Sequence, residues 1–334
     1  MRDLKTLPKA HLHIHLDGAI REATLRELCA RRGTAPPAIP PGNTFAPFDV
    51  FMDTITACHD VLASPDNLER IVGEVVEDAA ADGAVWVELS LWPGMFRGQL
   101  GPERDAVLFV LETGLAAAAR VGISFGLMIA ANRHAGPRAG IATAELAVDL
   151  GGGGVVSFGL DGDEASFPSA PFVDAFAIAK RAGLLSTPHA GELLGPQSVG
   201  DAIDVLHADR ILHGVRAAED ARLLARLAGS SVCLDVCPTS NFGLGVCDPE
   251  AHPLPVLLDA GVRCSVNADD PLLFGSSLLG EYELCRSLFS MSDHQLAQIA
   301  ANSIHSSGAS RELKATAAAG IARWLEDAPS TPPG

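Results

Sequence analysis

Cationic residues are scarce in this chain: 24 Lys and Arg stand against 41 Asp and Glu over 334 residues, a formal net charge of -17. The averaged field repels phosphate backbones and anionic lipid surfaces, so no nucleic acid and no membrane surface is expected as a partner. No C-x-x-C pair occurs among the seven cysteines (Cys29, Cys58, Cys233, Cys237, Cys247, Cys264 and Cys285). An odd, thinly spread set disfavours a disulfide framework and suits reduced thiols. The start Met1-Arg2-Asp3-Leu4-Lys5 carries charge where a signal peptide needs an apolar stretch. The longest uncharged apolar run, Val121 to Ala131, falls short of the roughly 20 residues that span a bilayer. A cytoplasmic location is therefore expected. Also missing is a G-x-G-x-x-G turn after the first apolar run, which Asp17-Gly18-Ala19 follows instead; this argues against an open dinucleotide-binding sheet. What the chain does have is 48% apolar and 19% charged residues, the composition of a globular protein with a large core.

Short β-branched or apolar runs alternate with Ala/Leu/Arg-rich stretches of helical length. The runs end near Leu16, Leu91, Ile129, Leu160, His189, His213, Val236 and Asn267; helical stretches such as Glu22 to Arg31, Glu103 to Arg120, Ala170 to Ala182 and Ala217 to Leu227 separate them. Strands alternating with helices imply a parallel sheet, and eight such units point to a closed (β/α)8 TIM barrel. The cluster Gly151 to Gly154 precedes a strand and does not open a helix, so it reads as a flexible turn. A helical insertion after the first strand, over about residues 19–83, holds a Pro-rich turn and Phe45, Phe48, Phe51 and Met52. It would sit at the C-terminal face of the barrel, either packing its own helices down or covering a pocket. One catalytic domain over 1–327 is expected, with a disordered tail at 328–334.

Reactive groups of a barrel collect at the strand ends. In His11-Leu12-His13-Ile14-His15-Leu16-Asp17 the side chains two apart share a face, so His13 and His15 can reach one metal ion together. His11 lies on the same face but deeper and reads as packing. His189, in the fifth run, and Asp269, after the eighth, complete three imidazoles and one carboxylate from three strands, a set suited to zinc or a neighbouring divalent ion. One position is left for water, the arrangement of a hydrolase. A binuclear site bridged by a carbamylated lysine is excluded, because Lys5, Lys9, Lys180 and Lys314 all stand away from the middle strand ends. Cys237-Pro238 lacks the cysteine pair of the H-x-E and P-C-x-x-C zinc deaminases. Three more groups lie near the metal set. Glu192 is a candidate general acid, His213 a candidate for steering the attacking water, and Asp270 faces away from Asp269, towards the substrate, if the strand pleat persists.

The segments H-x-H-L-D-G (His13 to Gly18), H-A-G-E (His189 to Glu192), R-I-L-H-G-V-R (Arg210 to Arg216), V-C-P-T-S-N (Val236 to Asn241) and N-A-D-D-P (Asn267 to Pro271) together resemble the adenosine deaminase branch of the metal-dependent amidohydrolases. The resemblance implies one Zn2+ per chain on His13, His15, His189 and Asp269. It implies that Glu192 protonates purine nitrogen 1, and that His213 and Asp269 orient and deprotonate the attacking water. Asp270 is expected on nitrogen 7, the backbone at Gly162 on nitrogen 3, and Asp17 on a sugar hydroxyl. The chain departs from many relatives at His11 and at Glu88-Leu89-Ser90, near where substrate shape is read. The expected reaction is hydrolytic deamination of a 6-aminopurine nucleoside, adenosine or a close analogue. The alternatives are free adenine or a 5'-modified adenosine such as aminodeoxyfutalosine. From other classes come a catalytically silent purine-binding relative and a hydrolase of cyclic amides or phosphoesters.

Overall fold

The computed structural model describes residues 1–96 and 98–327, so the expected tail 328–334 lies outside the described residues. Eight strands follow one another around a single sheet in chain order: β1 (Lys9–His15), β2 (Ala84–Leu91), β3 (Ser124–Asn132), β4 (Val155–Asp161), β5 (Leu185–Ala190), β6 (Arg210–His213), β7 (Cys233–Val236) and β8 (Arg263–Val266). Every neighbouring pair is parallel. The ring closes just past β8, where Asp269 N–H donates to His13 O (3.0 Å) and His15 N–H donates to Asp269 O (3.1 Å). The fold is thus a (β/α)8 TIM barrel. Its strands are buried along nearly their whole length, as parallel strands covered on both faces must be.

The barrel interior is not wholly apolar. Arg210 on β6 donates to Glu88 of β2 (Nη2 to Oε1, 2.5 Å) and to Asp235 of β7 (Nε to Oδ2, 2.7 Å), all three side chains without exposure. Ser157 and Ser265 donate to the same two carboxylates at 2.7 Å. Removing one member would strand a buried charge, so the cluster ties distant strands into one register.

Three helices separate β1 from β2: α1 (Glu22–Arg32), α2 (Phe48–Cys58) and α3 (Pro65–Ala81). Gly33, with φ 71°, ends α1 in the left-handed region where a Cβ is disfavoured. Ser64 caps α3 by accepting from Asn67 N–H, and Pro65 occupies the first helical turn, where its missing N–H costs nothing. Two expected helices are shorter than the periodicity suggests. The stretch from Ala170 begins as a 3-10 turn, Ala170–Phe172, before the helix Val173–Arg181. Asp220 splits the other into Val215–Glu219 and Ala221–Ala228, because its carboxylate accepts from Arg222 and Leu223 N–H and starts a new helix. Among the described residues no helix is long and apolar enough to cross a membrane.

Candidate active site

The C-terminal strand ends surround a cavity whose empty volume, open mouth included, is about 780 Å³. Its polar wall holds His15, Asp17, Asp161, Gly162, His189, Glu192, His213, Asp269 and Asp270. On α2 the residues Phe48, Phe51, Met52 and Ile55 recur at helical spacing and supply an apolar wall. Phe45 is instead packed away, edge-on to Phe51 and Phe274. The aromatic segment therefore does both things the sequence left open: part packs, part lines the cavity.

The strands bring His13, His15, His189 and Asp269 together, with one donor atom from each within 4.8 Å of all the others. A carbonyl can only accept, so His13 Nδ1, 3.1 Å from Asp235 O, carries the proton of the neutral ring. His13 Nε2 then presents a lone pair. It is buried, has no hydrogen-bond partner, and lies 3.0 Å from Asp269 Oδ1. His189 Nδ1 likewise donates to Leu160 O (3.0 Å), and His15 Nε2 lies 3.4 Å from the same Asp269 Oδ1. Lone pairs converging on a carboxylate oxygen repel one another unless a cation lies between them. The donor set therefore fits a divalent ion, with each Nδ1 of His13 and His189 anchored as metal-binding imidazoles require. His11 is buried, and its Nε2 accepts from Ala268 N–H at 3.2 Å.

Asp269 and His213 both have left-handed backbone, φ 62° and 66°, a strain that non-glycine residues carry chiefly at working sites. β8 ends at Val266, so the pleat on which the expectation for Asp270 was conditional does not reach it; Asp269 and Asp270 both line the cavity. Packed against Asp270, residue 18 must be glycine, since a Cβ there would collide with the Asp270 carboxylate. Burial and then the charge of Asp269 push the Asp270 carboxyl well above the usual carboxylate range. In Asp269, burial also opposes ionisation, but the imidazoles of His13 and His15 outweigh it and hold the group well below that range. Burial, then Asp269 and Glu164, raises Glu192 well above its ordinary value. Glu192 Oε1 lies 3.1 Å from His213 Nε2, which is 3.7 Å from Asp269 Oδ2. Two carboxyl groups with oppositely shifted pKa values thus flank a single imidazole.

Five further residues serve the site without having been singled out from sequence. Asp161 faces His189 Nδ1 (3.1 Å) and His15 Nδ1 (3.9 Å). Ser240 Oγ donates to Asp269 Oδ2 at 2.6 Å, and Asn241 Nδ2 to His213 Nδ1 at 3.2 Å. Both belong to the V-C-P-T-S-N segment, so the signal was present but was read only as a family mark. Glu164 is buried and accepts from the backbone N–H of Gly191, Glu192, Leu193 and Leu194 as well as from Ser198 Oγ, pinning the turn that carries Glu192. His59, after α2, sits with Nε2 2.7 Å from Asp17 Oδ2, a pairing no local pattern announces.

A family model described as adenosine deaminase matches residues 8–324. A Streptomyces virginiae protein, named for adenosine or adenine deamination without deciding between them, is 42% identical over 97% of this chain and 98% of its own length. The aminodeoxyfutalosine deaminase of Streptomyces avermitilis is 35% identical over 96% of this chain and 92% of its length. Among solved structures, adenine deaminase from Arthrobacter aurescens superposes with a TM-score of 0.89 at 29% identity, covering 96% of this chain and 99% of its own. An amidohydrolase from Burkholderia ambifaria with bound Zn gives 0.86 at 28% identity, covering 97% and 93%.

Proposed function

Because this chain belongs to the adenosine deaminase family and is a deaminating hydrolase, we propose that it deaminates a 6-aminopurine nucleoside, adenosine or a close analogue, with one bound Zn2+. The observation that carries this reading is the placement of Glu192 and Asp269 on either side of His213 Nε2, beside the three-imidazole, one-carboxylate set. His13, His15, His189 and Asp269 would hold the ion, which when bound makes water nucleophilic at neutral pH.

The chain's own groups supply the rest. Protonated Glu192 donates to purine nitrogen 1, drawing electrons from the neighbouring amine-bearing carbon. Asp269 takes the proton of the attacking water through Oδ2, the oxygen that Ser240 also holds. His213 hydrogen-bonds the same water and keeps it on the face of the ring. Hydroxide adds to the carbon, the proton held by Asp269 passes to the amine, the tetrahedral carbon expels ammonia, and the hydroxyl proton returns to Glu192 as the 6-oxopurine forms. Asp270, whose carboxyl burial pushes upward, donates to nitrogen 7, and the Gly162 backbone, at φ 103° with no side chain in the way, meets nitrogen 3. Asp17 meets a sugar hydroxyl.

One observation favours a second reading, free adenine as substrate: His59 already engages Asp17 Oδ2, leaving a single carboxylate oxygen for a sugar. A panel of adenine, adenosine, deoxyadenosine and 5'-modified adenosines with ammonia release as readout separates the two. Nucleosides are expected to give the higher kcat/KM, and Asp17→Ala to cut it by about tenfold for nucleosides while sparing adenine, as loss of one hydrogen bond to a charged group would. Faster turnover of adenine, or equal losses on both, would replace the nucleoside by the free base.

A further inference from the structure

We propose that His252 and Asn241, neither of which lines the cavity, are positioning residues that fix the proton of His213 on Nε2. The inference begins at a donor that can neither rotate nor flip. The backbone N–H of Leu254 lies 3.1 Å from His252 Nδ1, so that nitrogen must accept. His252 is buried between Phe242 and Phe289, and burial lowers its pKa to about 4, so the ring is neutral at physiological pH. Its one proton is therefore on Nε2, which donates to Asn241 Oδ1 at 3.1 Å. That bond settles the amide of Asn241: with Oδ1 turned to His252, Nδ2 faces His213 and donates to its Nδ1 at 3.2 Å. With Nδ1 accepting, the proton of His213 stands on Nε2, towards Glu192 Oε1 and Asp269 Oδ2. Reversing any one link puts two donors or two lone pairs face to face among buried side chains.

Resting on the deaminase reading above, the relay divides the labour of the two groups beside the attacking water. His213 arrives as a hydrogen-bond donor with no lone pair to offer at Nε2, so it orients, and Asp269 is the group that accepts the proton. His252, on the connection between β7 and β8, thus reaches the chemistry only through Asn241.

The test is 15N NMR of the zinc-loaded protein labelled at histidine, with ammonia release measured in parallel. In the parent, His213 and His252 are both expected to show the Nε2–H tautomer. Asn241→Asp keeps the shape of the side chain but only accepts, so it should move the proton of His213 to Nδ1 and lower kcat about tenfold at little change in KM, the size of one misplaced hydrogen bond. His252→Phe should mix the tautomers with a smaller loss, and His252→Gln, whose amide can again donate to Asn241, should recover most of both. An Nδ1–H tautomer of His213 in the parent would overturn the proposal, as would a tautomer shift that leaves kcat unchanged. If the parent turns over no 6-aminopurine, the deaminase reading fails, while the parent's own tautomers still decide the relay.

Discussion

At the scale of single residues, the chemistry turns on carboxyl groups held in opposite states. In the proposed mechanism Glu192 keeps its proton to act as an acid, and burial with three acidic neighbours raises its pKa. Asp269 must be ionised, and the imidazoles around it lower its pKa. The expected pH profile of kcat/KM is therefore a plateau through neutrality, lost on the acid side as Asp269 takes up a proton and on the alkaline side as Glu192 releases one. Glu192→Gln should abolish the alkaline limb and lower turnover by at least about a hundredfold, with zinc content unchanged by metal analysis. A second buried acid offers a test of stability alone. Glu281 is raised to about 8 by burial, against about 4.3 when unfolded. Folding then takes up a proton between those values, and stability falls as pH rises through that window. Glu281→Gln, which imitates the neutral acid, should match the parent in acid and exceed it by on the order of 2 kcal/mol at neutral pH, read from denaturation at two pH values.

At the scale of elements, strands deliver the three candidate imidazole ligands, while Asp269 and Glu192 come from the turns that follow β8 and β5. His13 and His15 were legible as a pair because the two-residue period of β1 puts them on one face, and His189 and Asp269 because reactive groups stand at strand ends. For Asp270 that period is no guide, since the pleat has already ended at Val266. His59 and Asp17 are 42 positions apart, and Glu164 and Glu192 are 28 apart, so no local period can announce either contact. Glu164 shows what such contacts do. Four backbone donors and a hydroxyl converge on it, so Glu164→Ala should leave them without a buried acceptor. A loss of about 3 kcal/mol in thermal or urea unfolding is expected, with a lower kcat as the turn carrying Glu192 loosens.

At the scale of the whole molecule, the alternation of apolar runs with helical stretches was enough for the barrel, because each βα unit is local and the crossover rule leaves few ways to join them. The bonds that close the ring were not legible. It depends on Asp269, beyond the last strand, whose N–H and C=O bond to His13 and His15 across the gap. The same residue contributes Oδ1 to the ion set. Chelation should therefore speed hydrogen exchange at the Asp269 and His15 amides before amides elsewhere in the barrel respond.

Fastener and reagent are thus one residue, and this decides which lesions are informative. An alanine at 269 would keep the backbone N–H and C=O of the clasp but would at once remove a member of the ion set and delete the proton acceptor, so its silence would say nothing about which of the two mattered. Ser240→Ala touches only Oδ2 and leaves the clasp and Oδ1 alone, which makes it the cleaner way to ask what the carboxylate does.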